Sequence, residues 1–217
     1  MTLQELTQLV MLGEGRQLEF KRRVPRAERI AKEVIAMANT DGGRVFLGVN
    51  DDGTIVGVRD AEEEEFALTQ ALFAHCEPAV PISTDRVSVT GTREVIVVNV
   101  PNSNRKPHFL LNGSQGTDRT AYVRVRDMSV EASLEAIELM GTGGHQKNVL
   151  FEFGENEQKL MRYLDKYGRI TVEQFAKLAD VPPNAASRIL VVLTRAEVLR
   201  LHPGERSDYF TLAYDLP

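Results

Sequence analysis

Apolar positions fall at two periods along this chain, and the periods place its elements. Leu3, Leu6, Leu9 and Val10, followed by Met11 and Leu12, predict a short amphipathic helix with Thr2 as N-cap and Gly13 as its stop. Leu18 and Phe20 alternate with Gln17, Glu19 and Lys21, which is a strand pattern. Pro25 opens a helix running through Ile30, Val34, Ile35 and Met37 and ended by Gly42-Gly43. Arg44 to Val49 reads as a buried strand. Asn50-Asp51-Asp52-Gly53 reads as a tight turn, and Thr54 to Val58 as the strand returning from it, because Asp-Gly suits the positive φ of hairpin turns.

Residues 61–75 predict another helix, followed by strands over 81–89 and 93–100 with a turn at Gly91. Residues 101–119, rich in Asn, Pro, Gly and Ser, read as a long loop of the kind that carries function. Ala121 to Val125 predicts a last strand and Ser129 to Met140 a last helix of this part. Gly141-Thr142-Gly143-Gly144 then breaks the pattern. The expected organisation is a first domain over 1–141, a linker over 142–151 and a second domain over 152–217.

In the second domain, Glu155 to Tyr167, Thr171 to Ala179 and Pro183 to Ala196 predict three helices, with Gly168 as a stop, Thr171 as an N-cap and Pro182-Pro183 opening the third. Val198 to His202 and Tyr209 to Ala213 then form a hairpin around Pro203-Gly204. Three helices and a two-stranded wing follow the winged-helix plan, in which the third helix enters the major groove of DNA. Asn184, Ser187, Arg188 and Arg195 are expected on its outward face, and Asn184 and Arg188 suit contact with base edges or phosphates. Residues 151–217 hold nine Lys plus Arg against ten Asp plus Glu, so a module that only pairs with protein partners remains the alternative to one that contacts DNA.

With 42% hydrophobic and 26% charged residues, the chain has the composition of a folded globular protein. No run approaches the roughly 20 apolar residues that span a bilayer, and the opening residues lack the pattern of a signal peptide. A cytoplasmic protein with no membrane partner is expected. Cys76 stands alone and has no internal disulfide partner. The net charge of −5 argues against coating nucleic acid by bulk charge, so any such site must be a local patch. Arg16, Lys21, Arg22, Arg23, Arg26, Arg29 and Lys32 fall within 17 residues and supply one. The four histidines are scattered, and Lys106-Pro107-His108, beside Arg105, is a secondary candidate for touching phosphate.

Three stretches carry a more specific pattern: Glu14 to Lys21 (EGRQLEFK), Ala36 to Gly43 (AMANTDGG) and Leu47 to Gly53 (LGVNDDG). In this order they resemble the Schlafen Alba-type domain, and Tyr122-Val123-Arg124 with Ser129 to Ser133 look like that family's closing strand and helix. The likeness covers roughly residues 5–140. It implies an α/β (α+β) Schlafen-like domain ahead of a small winged helix, and nucleic acid as partner, with DNA favoured and RNA the alternative. A regulatory role follows, with Arg16, Lys21, Arg22, Arg26, Arg29, Asn184 and Arg188 holding the nucleic acid. Because Schlafen proteins pair two such lobes in one chain, a single lobe also implies a homo-oligomer.

In the Schlafen ribonucleases three acids of this framework form a metal-dependent nuclease centre. The matching positions here are Glu14, Glu19 and Asp51, which would hold Mg²⁺ or Mn²⁺ with Lys21 beside the scissile phosphate. Read from the residues alone, Glu19 has an alternative as an ion-pair partner of Lys21 or Arg44, and Asp51 and Asp52 as ordinary turn residues. The resemblance also leaves Arg126-Asp127 where a glycine often follows the Tyr-x-Arg strand.

Overall fold

The computed structural model describes residues 1–112, 118–141 and 153–213. Contacts divide the chain into two compact units, Met1–Glu131 and Ala132–Pro217. The glycine run expected as the domain boundary falls largely outside the described residues.

In the first unit, α1 (Leu3–Val10) opens on a capping box between Thr2 and Glu5 and turns Leu6 and Val10 inward. β1 (Leu18–Lys21) lies parallel to β2 (Gly43–Leu47), and the amphipathic helix α2 (Ala27–Asn39) crosses over between them. After α3 (Ala61–His75) and the short β3 (Cys76–Glu77) come β4 (Ser83–Thr90) and β5 (Arg93–Val100). They complete a mixed sheet of order β1-β2-β5-β4. A second antiparallel sheet of order β3-β6-β7-β8 contains β6 (Phe109–Asn112), β7 (Asp118–Val125) and β8 (Met128–Glu131).

The first sheet is apolar on both faces. Phe20, Phe46, Val95 and Val97 meet α1, while Val45, Leu47, Ile96 and Val98 meet α2 and α3. Helix α2 also packs against β6 and β7 of the second sheet. Enclosed in this way, it buries Ile30, Ala31 and every residue from Val34 to Asn39. Its carboxyl-terminal half is accordingly apolar almost all round, while the amino-terminal half keeps Glu28, Arg29, Lys32 and Glu33 on a polar face.

Three expectations are corrected. Thr54 to Val58 forms no strand, only single bridges from Ile55 to Val49 and from Val58 to Glu94. Both edges of β2 are already taken by β1 and β5, which leaves no edge for a hairpin partner. The loop expected over 101–119 contains β6 and the start of β7, while residues 113–117 lie outside the description. The helix expected over 129–140 is two elements. Residues 128–131 pair with β7, and α4 (Leu134–Gly141) begins only after Ser133, whose Oγ accepts from the Ala136 N–H at 3.1 Å.

Between β7 and β8, Arg126 turns the chain with φ of 57°, in the left-handed region, and Val125 faces Met128 across it. A two-residue hairpin turn with positive φ at its first position favours glycine. Relief of the Cβ strain exceeds the extra chain entropy of glycine by a small margin, so Arg126→Gly should stabilise the first unit by about 0.5–1 kcal/mol. A rise in its urea unfolding midpoint at unchanged slope would show this.

The second unit contains α4 together with α5 (Glu155–Tyr167), α6 (Val172–Ala179), α7 (Pro183–Arg195) and the antiparallel pair β9 (Leu199–His202) and β10 (Tyr209–Leu212). Gly168, with φ of 78°, ends α5 and a Thr171–Gln174 capping box starts α6. A separate core of Leu160, Leu164, Ile170, Phe175, Leu190, Leu193 and Phe210 holds the unit, and Ile170 bridges to Phe210. Among the described residues no helix is long and apolar enough to cross a membrane.

Candidate nucleic-acid interface

The cations that lie together in sequence do not form one patch. Arg16 pairs with Asp41 at 2.6 Å, just beyond the carboxyl end of α2, whereas Arg22, Arg23, Arg26 and Arg29 surround its amino end. A 13-residue helix is roughly 20 Å long, which separates the two groups. Lys21 is withdrawn altogether. Its ammonium donates to Glu19 and to the Phe20 carbonyl (2.9 Å) and stands 3.9 Å from Glu14, with 12% of the side chain exposed. Arg16 and Lys21 are therefore corrected as members of one basic surface: the first is ion-paired at the far end and the second is enclosed by acids.

What remains is compact. Arg22, Arg23, Arg26 and Arg29 are all exposed, and none forms an ion pair among the described residues. They crowd a helix end where Arg26, the N-cap, makes no side-chain capping bond. Unsatisfied amides and the positive end of the helix dipole attract anions there, and the arginines add to that potential. Nearby, Lys32 lies 4.9 Å from the centre of the Tyr122 ring.

The expected metal ligands are arranged for a different purpose. Glu14 accepts from the Phe20 N–H at 2.8 Å. Glu19, 6% exposed, lies between Lys21 and the guanidinium of Arg124, which donates to it at 3.0 Å. Burial pushes the Glu19 carboxyl up, against the opposing pull of Lys21 and Arg124. Asp51 is exposed in the turn after β2. Among the described residues no group of three His, Cys, Asp or Glu side chains is placed to hold a metal ion. The triad Glu14, Glu19 and Asp51 expected for Mg²⁺ or Mn²⁺ is thus corrected: Glu19 is committed to two cations and Asp51 does not join the other two. This donor set does not fit a divalent ion, and no hydrolytic step follows from it.

The centre of the network is Arg124, whose side chain has no exposure. Beyond Glu19 it donates to Glu33 (2.8 Å), the Gly15 carbonyl (2.7 Å) and Ser129 Oγ (3.3 Å), and Ser129 in turn donates to Glu33. One guanidinium therefore ties together α2, β1, β8 and the segment before β1. Sequence reasoning saw Arg124 only as part of the Tyr-x-Arg strand. Strand alternation sets Arg124 on the face of Thr120 and Tyr122, opposite the buried Ala121 and Val123, so the pattern along the strand does not signal its burial.

Asn39 performs a similar office at the carboxyl end of α2. It donates to the carbonyls of His108 (2.8 Å) and Tyr122 (3.0 Å) and accepts from the His108 N–H (2.8 Å). Lys106, expected near phosphate, instead donates to the Thr40 carbonyl at 2.6 Å. His108 is fully buried. Its Nδ1 donates to the Pro78 carbonyl at 2.7 Å, so Nε2, 2.6 Å from Ser103 Oγ, is the acceptor of the neutral ring.

Burial holds the His108 pKa below its ordinary value of 6.5, only partly offset by the bond to Pro78. Between the lowered value and 6.5 the unfolded chain binds more protons than the folded one. The stability this group contributes is therefore complete above 6.5 and is lost as pH falls through the lowered value. From about pH 7 to about pH 5 the unfolding midpoint of the first unit should fall more steeply in the wild type than in His108→Gln. Parallel curves would contradict the buried neutral ring.

In the second unit, Asn184 and Arg188 are exposed on α7 as expected, one helical turn apart. Ser187 and Arg195 are not free. Ser187 donates to Glu135 of α4, and Arg195 donates to Glu138 at 2.9 Å. Ser133, ahead of α4, donates to Asp208 in the β9–β10 loop at 2.6 Å. An acidic helix thus takes up part of the outward face of α7, a contact that helical spacing within α7 alone did not reveal.

Residues 14–133, more than half of the chain, match the family described as Schlafen, AlbA_2. Two solved structures are similar to parts of the chain. The DIP2311 protein from Corynebacterium diphtheriae matches at 24% identity with a TM-score of 0.39, covering 54% of this chain and 25% of its own. The N-terminal domain of a protein from Nitrosomonas europaea described as RecG-related, an ATP-dependent DNA helicase class, matches at 22% identity with a TM-score of 0.42, covering 60% of this chain and 92% of its own. This chain thus spans about a quarter of the length of the first of these. By the match over residues 14–133, the chain belongs to the Schlafen, AlbA_2 family.

Proposed function

We propose that the chain binds nucleic acid, gripping its phosphate backbone with Arg22, Arg23, Arg26 and Arg29 at the amino end of α2. Four exposed arginines without acidic partners among the described residues, beside an uncapped helix end, carry this reading. In a chain of net charge −5, unneutralised cations gathered at one place mark where an anionic polymer is tolerated.

The finer reading is a DNA-binding regulator whose second unit acts as a winged helix. The order α5, α6, α7, β9, β10 matches that plan, and Asn184 and Arg188 are the side chains on α7 left to reach DNA. The contacts of Glu135 and Glu138 with α7 confine that role to the amino-terminal half of the helix.

Fluorescence anisotropy with labelled duplex DNA and with labelled structured RNA tests the proposal. Wild type should bind in a salt-sensitive manner, and the triple substitution Arg22→Glu, Arg26→Glu, Arg29→Glu should weaken binding by about a hundredfold or more. Undiminished binding by that variant would overturn it.

A further inference from the structure

One face of the first sheet carries a second feature. α1 covers Phe20, Phe46 and Val97, but the row of cross-strand neighbours Leu18–Arg44–Asn99–Ser83, one from each strand, lies in the wall of an open cavity of about 960 Å³. Four strands about 4.8 Å apart make this row roughly 14 Å long. Leu9 and Leu12, from the end of α1 and just beyond it, form one apolar wall, and Pro81, Ile82 and Pro101 form another.

The charged side chains that line the trough are Glu14, Arg16, Asp41 and Arg44. Glu14 is taken by the Phe20 N–H and lies beside Lys21, and Asp41 is paired with Arg16. Arg44 is exposed, and its guanidinium makes no hydrogen bond or ion pair among the described residues. Asp41 is thus ion-paired and Glu14 is held by a backbone amide, which leaves Arg44 as the arginine on the floor without a partner among the described residues and offers a contact to an anionic group. The apolar walls select a ligand that also carries a flat, weakly polar body. Asn99, which donates to Asp85 at 3.0 Å, and Ser83 stand beside Arg44 as polar contacts.

We infer that this trough holds unpaired nucleotides, with a phosphate on Arg44 and a base against the Leu9–Leu12 wall. The inference rests on the nucleic-acid reading above and narrows its substrate to single strands or to loops. A duplex keeps its bases stacked inside and presents only phosphates, whereas an unpaired nucleotide can turn its base into an apolar wall. Arg22, Arg23, Arg26 and Arg29 lie beyond the opposite end of β1 and are a separate contact.

The test compares a short labelled oligothymidylate with a duplex of the same length, using Arg44→Ala and Leu12→Asp. Leu12 is 74% exposed, so its substitution leaves the core intact. Either variant should weaken single-strand binding by roughly tenfold while duplex binding is unchanged. Equal weakening of both, or of neither, would overturn the trough while leaving the arginine surface standing. If the wild type binds neither probe, the backbone reading fails, and a titration with thymidine monophosphate followed by amide shifts decides the trough separately. Shifts concentrated at residues 12–18, 44 and 99 support it, and their absence overturns it.

Discussion

Replacing Arg124 with alanine is expected to cost the first unit about 3–5 kcal/mol, a large share of the roughly 5–15 kcal/mol that holds a folded domain together. The guanidinium is the shared partner of Glu19, Glu33, Ser129 and the Gly15 carbonyl. Its removal leaves Glu19, 6% exposed, with Lys21 as its one remaining cation, and leaves the Glu33–Ser129 pair without a counter-charge. Losing one member of a buried network costs more than the network contributes to folding, because the stranded charges keep their full desolvation penalty. Arg124→Lys should be only a partial rescue, since one ammonium cannot reach acceptors arranged for a planar fork. Hydrogen exchange provides the measurement. Protection should collapse in β1, β2 and β7 of Arg124→Ala, and wild-type protection there would contradict the network's role.

The second large effect is expected at Asn39. Three hydrogen bonds from one buried side chain hold the carboxyl end of α2 against the strands that carry His108 and Tyr122. Asn39→Ala leaves two carbonyls and one N–H without partners in a site that is 4% exposed at Asn39, a loss of about 3 kcal/mol. Asn39→Asp should do at least as much harm, because it sets an acceptor against the two carbonyls that Asn39 Nδ2 now satisfies. A fall in the urea midpoint of that size for both variants supports this accounting. A variant within about 0.5 kcal/mol of wild type would show the amide to be incidental.

The same helix end explains why Gly42 follows Asn39 so closely. With φ of 72°, Gly42 donates to the Met37 carbonyl at 2.9 Å, and a Cβ there would sit 2.6 Å from the Asn102 nitrogen. The AMANTDGG stretch is therefore a packed helix stop that carries an inward-facing amide.

Local signals in the sequence revealed what local physics decides. The caps at Thr2 and Thr171, the stop at Gly168 and the hairpin of β9 and β10 all lie where side-chain chemistry dictates them within a few residues. The motifs from Glu14 to Gly53 likewise identified the first unit. The returning strand after Gly53 failed because its turn chemistry was right but β2 had no free edge, a fact of sheet order and not of sequence. The site was legible in part. Arg22, Arg26 and Arg29 are exposed as expected, but Arg16 is separated from them by the length of α2. Lys21 and Glu19 were drawn out of the candidate site by Arg124, which is 105 positions from Glu19, and no periodicity within either segment encodes that pairing.

The central claim, that exposed arginines at the amino end of α2 hold a nucleic-acid backbone, is tested most directly by the salt dependence of binding. Each neutralised phosphate contributes about −0.9 to the slope of log K against log salt for duplex DNA and about −0.7 for single strands. The triple substitution Arg22→Ala, Arg26→Ala, Arg29→Ala should therefore flatten the slope by roughly 2–3 and weaken binding at low salt. A variant that binds with the wild-type slope would contradict the account and place the phosphates elsewhere on the protein.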